Sequence, residues 1–104
     1  MSDELVKAAR NVMKRAYAPY SKFKVGAAVE TKGGNIYVGC NVENAAYGLT
    51  QCAERNAIGS AIAAGEQKFR RIAIVTSDRK ATPPCGSCRQ VLREFGTGIE
   101  VLMI

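Results

Sequence analysis

No apolar stretch of this chain approaches the roughly 18 residues that a membrane-spanning helix requires, which argues against a helical membrane protein. The N-terminus reads Met1-Ser2-Asp3-Glu4, polar and acidic where a secretory signal is basic and then apolar, so the expected location is cytoplasmic. Repeats, low-complexity tracts and Pro/Ser-rich linkers are also missing. At 104 residues the chain is long enough for one core and too short for two, and a single domain over 1–104 is expected. Four cysteines without a signal point to metal or reactive thiols before disulfides. The formal net charge is +6, but the basic residues are scattered. Lys7, Arg10, Lys14 and Arg15 lie on one predicted helix, Lys22 and Lys24 on a loop, Arg70 and Arg71 before a strand. Such scatter reads as a solvated surface, so nucleic acid is not the expected partner.

The apolar periodicity predicts seven elements in the order α-β-β-α-β-α-β. Leu5, Val6, Ala9, Val12, Met13 and Ala16 recur at helical spacing over Asp3 to about Ala16, with Ser2 placed to cap and Pro19 closing off any continuation. Val25–Glu30 and Asn35–Cys40 read as a hairpin joined by Thr31-Lys32-Gly33-Gly34. The small residues Gly26-Ala27-Ala28 suit a strand against which another backbone or a ligand comes close. Thr50–Ala64 is helical and alanine-rich, with Gly65 beyond its end. Arg71–Thr76 reads as a strand covered on both faces. A third helix is expected from Pro84 or Cys85 to Gly96, and a last strand over Ile99–Ile104. Helices alternating with buried strands in the second half imply parallel crossovers, hence an α/β protein with a three-layer αβα sandwich around a mixed sheet.

Cys52-Ala53-Glu54 stands about thirty residues ahead of Pro84-Cys85-Gly86-Ser87-Cys88. Three thiolates, Cys52, Cys85 and Cys88, suffice to hold one Zn²⁺ and leave its fourth position open to water, the mark of a hydrolytic rather than a structural site. Glu54, two residues from the first ligand, is placed to move that water's protons. Cys85 and Cys88, at i and i+3, share one face of their helix. Both ligand groups fall at predicted helix starts, Cys52 in a first turn, where free N–H groups favour thiolate. Arg55 is a candidate donor to a ligand sulfur, tempering the electron density that three thiolates push onto the metal. Two other readings use the same cysteines: a redox C-x-x-C pair, which ignores Cys52 and Glu54, and a closed four-cysteine site including Cys40, which needs a poorly spaced pair. Cys40 itself reads as a small buried apolar residue at a strand end.

Zinc nucleobase deaminases follow the same general pattern of three ligands and a non-ligating glutamate. Nearly the whole chain resembles the small homotetrameric cytidine deaminases. The resemblance runs through Tyr20-Ser21-Lys22-Phe23, Val25-Gly26-Ala27-Ala28, Gly39-Cys40-Asn41-Val42-Glu43-Asn44-Ala45, Tyr47-Gly48-Leu49-Thr50, Cys52-Ala53-Glu54-Arg55 and Pro84 to Val91. It implies zinc-dependent hydrolysis of cytidine or deoxycytidine to uridine or deoxyuridine and ammonia, with Glu54 shuttling protons from water to N3 and to the departing amine. It implies that Asn41 and Glu43 bind the sugar, that Phe23 packs on the pyrimidine, and that the Ala53 backbone meets the base near its exocyclic amine. Ala45 and Tyr47 match residues that reach a neighbouring subunit's site, so a homo-oligomer is implied, a tetramer in the first place and a dimer in the second.

Three features depart from the family's pattern. The resemblance ends at Ile104, whereas family members of this kind carry a further strand and a C-terminal segment that helps close the site. Lys24 replaces a common proline and Gly59 a bulkier residue. A related zinc deaminase acting on a modified cytosine nucleoside or another aminated ring is the second reading, and a non-catalytic zinc protein the third. Buried contacts to a free sugar, through Asn41 and Glu43, argue against a polymer substrate.

Overall fold

The computed structural model describes residues 2–46, 49–77, 93–95 and 98–103. Its elements are α1 (Ser2–Met13), β1 (Val25–Thr31), β2 (Ile36–Cys40), α2 (Ala53–Ala63), β3 (Phe69–Thr76) and β4 (Glu100–Met103). The layering follows from alternation in the two central strands. Ala27 and Val29 of β1, with Ile72 and Ile74 of β3, pack in one core with Ala53, Ala57, Ile58 and Ala61 of α2. Their neighbours Ala28, Ala73 and Val75 pack on the other side with Leu5 and Ala9 of α1. Successive side chains of a strand point to opposite faces, so α1 and α2 cover opposite faces of the sheet and the three layers follow.

The sheet order is β2-β1-β3-β4. β1 pairs antiparallel with β2 and β3, and β3 pairs parallel with β4, so the sheet is mixed as expected. The hairpin between β1 and β2 closes with Thr31 N–H donating to Asn35 O at 2.9 Å, and Gly34 takes the positive φ of 92° that its position in the turn requires. Gly65, just past α2, has a φ of 93°, the left-handed conformation of a helix terminator.

Gly26 and Gly39 explain how close the layers come. A Cβ on Gly26 would sit 2.1 Å from Ala9 O of α1, and one on Gly39 would sit 2.3 Å from Ala57 N of α2. Each helix therefore lies directly on bare backbone, one on each face of the sheet. Gly59 differs: among the described residues nothing lies within 4 Å of where its Cβ would be.

Several boundaries move from their expected places. Ser2 is already helical rather than a cap, and α1 ends at Met13 rather than near Ala16. Beyond it, Arg15 and Ala16 donate to Val12 O and Met13 O, tighter i to i−3 turns that end the α-helical ladder. α2 starts at Ala53 rather than Thr50 because Gln51 exchanges both backbone hydrogen bonds with Val42, at 2.8 and 2.9 Å. β3 begins two residues earlier than the periodicity suggests: Phe69 pairs with Thr31 across an irregularity at Glu30/Thr31. Of the expected third helix, Arg93 and Glu94 are helical and the rest, Cys85 and Cys88 included, lies outside the described residues.

Candidate active site

Three chain segments meet at the end of the sheet formed by the start of β1 and the ends of β2 and β3. Cys52 is the N-cap of α2, with φ −77° and ψ 150°, and makes no side-chain capping hydrogen bond. It thus stands one position ahead of the first turn in which the sequence pattern places it. The shift keeps its sulfur at the positive end of the helix, where negative charge is favoured. Arg55 Nη2 lies 3.7 Å from Cys52 Sγ and donates to Thr50 O at 3.1 Å, which aims the guanidinium at the sulfur. The chain has no histidine. Thiolates and carboxylates are the side chains left to carry a zinc site, and a cysteine backed by a guanidinium and a helix N-terminus fits such a role. Cys85 and Cys88, the other two expected ligands, lie outside the described residues, as does Tyr47.

Glu54 occupies the first turn of α2 and is 6 % exposed. Among the described residues no group donates a hydrogen bond to its carboxylate. Its oxygens are not among the fully buried polar atoms left without a partner, so a ligand or water can reach a carboxylate that the described residues leave free to receive it. Ala53, beside it, is 1 % exposed, and its carbonyl faces the bare backbone of Gly39. Asn56 fixes the first turn from the other side: its Nδ2 donates to Cys40 O at 2.8 Å. In the sequence a helix-interior asparagine gives no signal of this role.

Asn41 and Glu43 follow β2 and both turn toward the Tyr20–Val25 loop. Asn41, 8 % exposed, accepts from Val25 N–H through Oδ1 at 2.9 Å and donates from Nδ2 to Phe23 O at 2.8 Å. Glu43 Oε1 accepts from Tyr20 N–H at 3.0 Å and Ser21 N–H at 3.1 Å, while Oε2 accepts from the Ser21 hydroxyl. The Ser21 hydroxyl holds the Glu43 carboxyl below its usual range. Backbone hydrogen bonds from Ser21 and Tyr20 and the charge of Lys22 add to this, and burial opposes them. Phe23 is half-buried, and Ala45 is exposed on the segment that follows Glu43.

Cys40 stands apart from Cys52. It pairs directly with Gly26, whose missing side chain faces α1. Directly paired residues share a sheet face, so Cys40 belongs to the α1 side while Cys52 heads the helix on the other. That arrangement weighs against a closed four-cysteine cluster.

An α/β layer sandwich with a cysteine and a buried glutamate at one helix start is the setting in which the sequence pattern expects a metal-hydrolase site, although the described residues by themselves bring together no set of three metal-ligating side chains. The family model for the cytidine and deoxycytidylate deaminase zinc-binding region matches residues 1–103, and the chain belongs to that family. Relatives include the cytidine deaminase of Sporosarcina psychrophila, 45% identical over 96 residues, which covers 92% of this chain and 71% of that one. That of Halalkalibacterium halodurans is 48% identical over 91 residues, covering 88% of this chain and 69% of the other. Among solved structures, the cytidine deaminase from Burkholderia pseudomallei superposes with a TM-score of 0.90 at 47% identity, over 99% of this chain and 84% of that one. The enzyme from Mycobacterium tuberculosis gives a TM-score of 0.90 at 39% identity, over 96% and 82%.

Proposed function

We propose that this zinc-dependent hydrolase converts cytidine and deoxycytidine to uridine and deoxyuridine with release of ammonia. One observation carries the reading: Glu54 is buried two residues from Cys52, with no donor among the described residues to satisfy it. Family membership supplies the zinc, for which Cys52, Cys85 and Cys88 are the proposed ligands. Zinc, when bound, acidifies water and stabilises the negative charge that builds as the ring is attacked. Glu54 accepts the proton of the attacking water and passes it to N3 of the base as the new C–O bond forms at C4. The same carboxyl then takes the proton of the new C4 hydroxyl and gives it to the amino nitrogen, the C4–N bond breaks as the carbonyl forms, and ammonia departs. The Ala53 backbone is the proposed contact with the base near its exocyclic amine, Phe23 the proposed platform for the ring, and Asn41 and Glu43 the proposed sugar contacts. Arg55 is proposed to steady Cys52 as thiolate.

We further propose that the working form is a homo-oligomer, a tetramer in the first place, with Ala45 and Tyr47 reaching a neighbouring subunit's site. Tyr17 and Val42, bridged to each other, are 55% and 43% exposed, and Leu49 is 63% exposed on the same segment of chain that follows β2. Among the described residues no helix is long and apolar enough to cross a membrane.

The test is direct. Zinc-loaded protein mixed with cytidine should deplete the cytosine absorbance and release one ammonia per uridine formed. Turnover of N4- or C5-modified cytidines with none of cytidine would move the assignment to the neighbouring class of zinc deaminases. Zinc binding without turnover of any aminated pyrimidine would overturn it.

A further inference from the structure

We propose that Ser21 is a positioning residue that joins sugar recognition to base recognition, by holding the Glu43 carboxylate and the Phe23 peptide in one hydrogen-bonded unit. The inference rests on the nucleoside reading above for what the two ends bind. The link between them is read from the loop itself. A serine hydroxyl has one proton to give and lone pairs to receive. Ser21 uses both: it donates to Glu43 Oε2 and accepts from Phe23 N–H at 3.0 Å.

The rest of the unit leaves little freedom. Phe23 is tied at its N–H by Ser21 and at its carbonyl by Asn41 Nδ2, 2.8 Å away. Between Ser21 and Phe23, Lys22 has a φ of 62°, left-handed backbone that a lysine adopts at a cost. Such a conformation persists where its neighbours determine it, and here both are held. Glu43 accepts hydrogen bonds from Tyr20 N–H, Ser21 N–H and the Ser21 hydroxyl. A carboxylate offers about four acceptor directions, so these donors leave room for one more. With Oε1 taking both backbone donors, the remaining direction belongs to Oε2, the oxygen that Ser21 orients. A ligand hydroxyl arriving there meets a carboxylate already aimed, and the same serine fixes the aromatic platform.

Ser21→Ala removes the bridge and leaves both end residues in place. The expected result is a KM for cytidine raised about tenfold, the usual scale of one hydrogen bond to a charged partner. The kcat should stay within about threefold, since Ser21 touches no reacting atom. Ser21→Thr keeps the hydroxyl and should restore KM. Glu43→Gln combined with Ser21→Ala should be no worse than Glu43→Gln alone by more than about twofold, because residues acting as one unit do not add. Amide exchange supplies a readout that needs no turnover: the Phe23 N–H should exchange at least about tenfold faster in Ser21→Ala and also in Glu43→Gln. Multiplicative losses in the double variant, or unchanged Phe23 exchange in both single variants, would overturn the proposal. If the wild-type protein failed to deaminate cytidine, the functional reading would fall while the exchange result still decided the coupling.

Discussion

At the scale of single residues, Glu54 and Arg55 divide the work at the head of α2. Glu54→Gln keeps the shape of the side chain but cannot carry a proton, so kcat should fall by about 10²–10⁴, the range for loss of a general acid–base. Zinc content by elemental analysis should be unchanged. Arg55→Gln acts on the other partner. With its donor 3.7 Å from Cys52 Sγ gone, zinc affinity measured against a chromophoric chelator should drop about 10- to 100-fold, the usual effect of losing a group that supports a ligand. Glu43 adds a pH signature. Its carboxyl is held below its ordinary value of 4.5, chiefly by the Ser21 hydroxyl. The stability that the ionised form lends the loop is therefore fully present above pH 4.5, and is lost as pH falls through the lowered value. Ser21→Ala should move that loss to higher pH, toward 4.5, read as amide exchange of residues 20–23 against pH.

At the scale of elements, the contact of α2 with β2 sets where the chemistry sits. Gly39→Ala would thrust a methyl to within 2.3 Å of Ala57 N, so α2 must shift or tilt. Overpacking of this kind costs about 1–3 kcal/mol, measurable by urea denaturation. Because Cys52 and Glu54 ride on the displaced turn, turnover should fall further than stability alone accounts for. At the opposite end of the central strands, Arg71 Nη2 meets Glu30 Oε1 at 2.8 Å, from directly paired positions. These side chains are 16% and 12% exposed, so Glu30→Gln should cost about 1–3 kcal/mol through a largely buried arginine left short of an anion. It should leave KM unchanged.

The types of the described elements and the mixed three-layer sheet were legible in the sequence because β3 is a continuous apolar run covered on both faces, the β1–β2 hairpin is marked by its Gly-Gly turn, and α1 carries apolar residues at period 3.6. The element ends were not. The start of α2 depends on Gln51 pairing with Val42, a long-range exchange that no local propensity announces. The metal pattern was legible through Cys52, Glu54 and the later Cys-x-x-Cys, whereas Asn56 and Ser21 were not. Their hydrogen bonds to Cys40 O and Glu43 exist only once the segments meet.

At the scale of the whole molecule, Tyr17, Val42 and Leu49 are exposed, and so is Gly59 on α2. Gly59 has open space around it among the described residues, and within a helix it costs about 1 kcal/mol relative to alanine. In an isolated chain Gly59→Ala should therefore stabilise. If α2 packs closely on another subunit at this position, the added methyl should instead lower the assembled mass seen by light scattering. A wild-type mass equal to that of one chain would end the proposal of an oligomer.

The Lys32–Gly34 turn lies at the far end of β1 from Val25, about 20 Å of strand away at 3.4 Å per residue. Phe23, Asn41, Cys52 and Glu54 all gather at the other end. That separation makes the turn a natural graft point: a flexible peptide spliced between Gly33 and Gly34, or a tether to a solid support through Lys32, leaves the reaction centre facing away from the attachment.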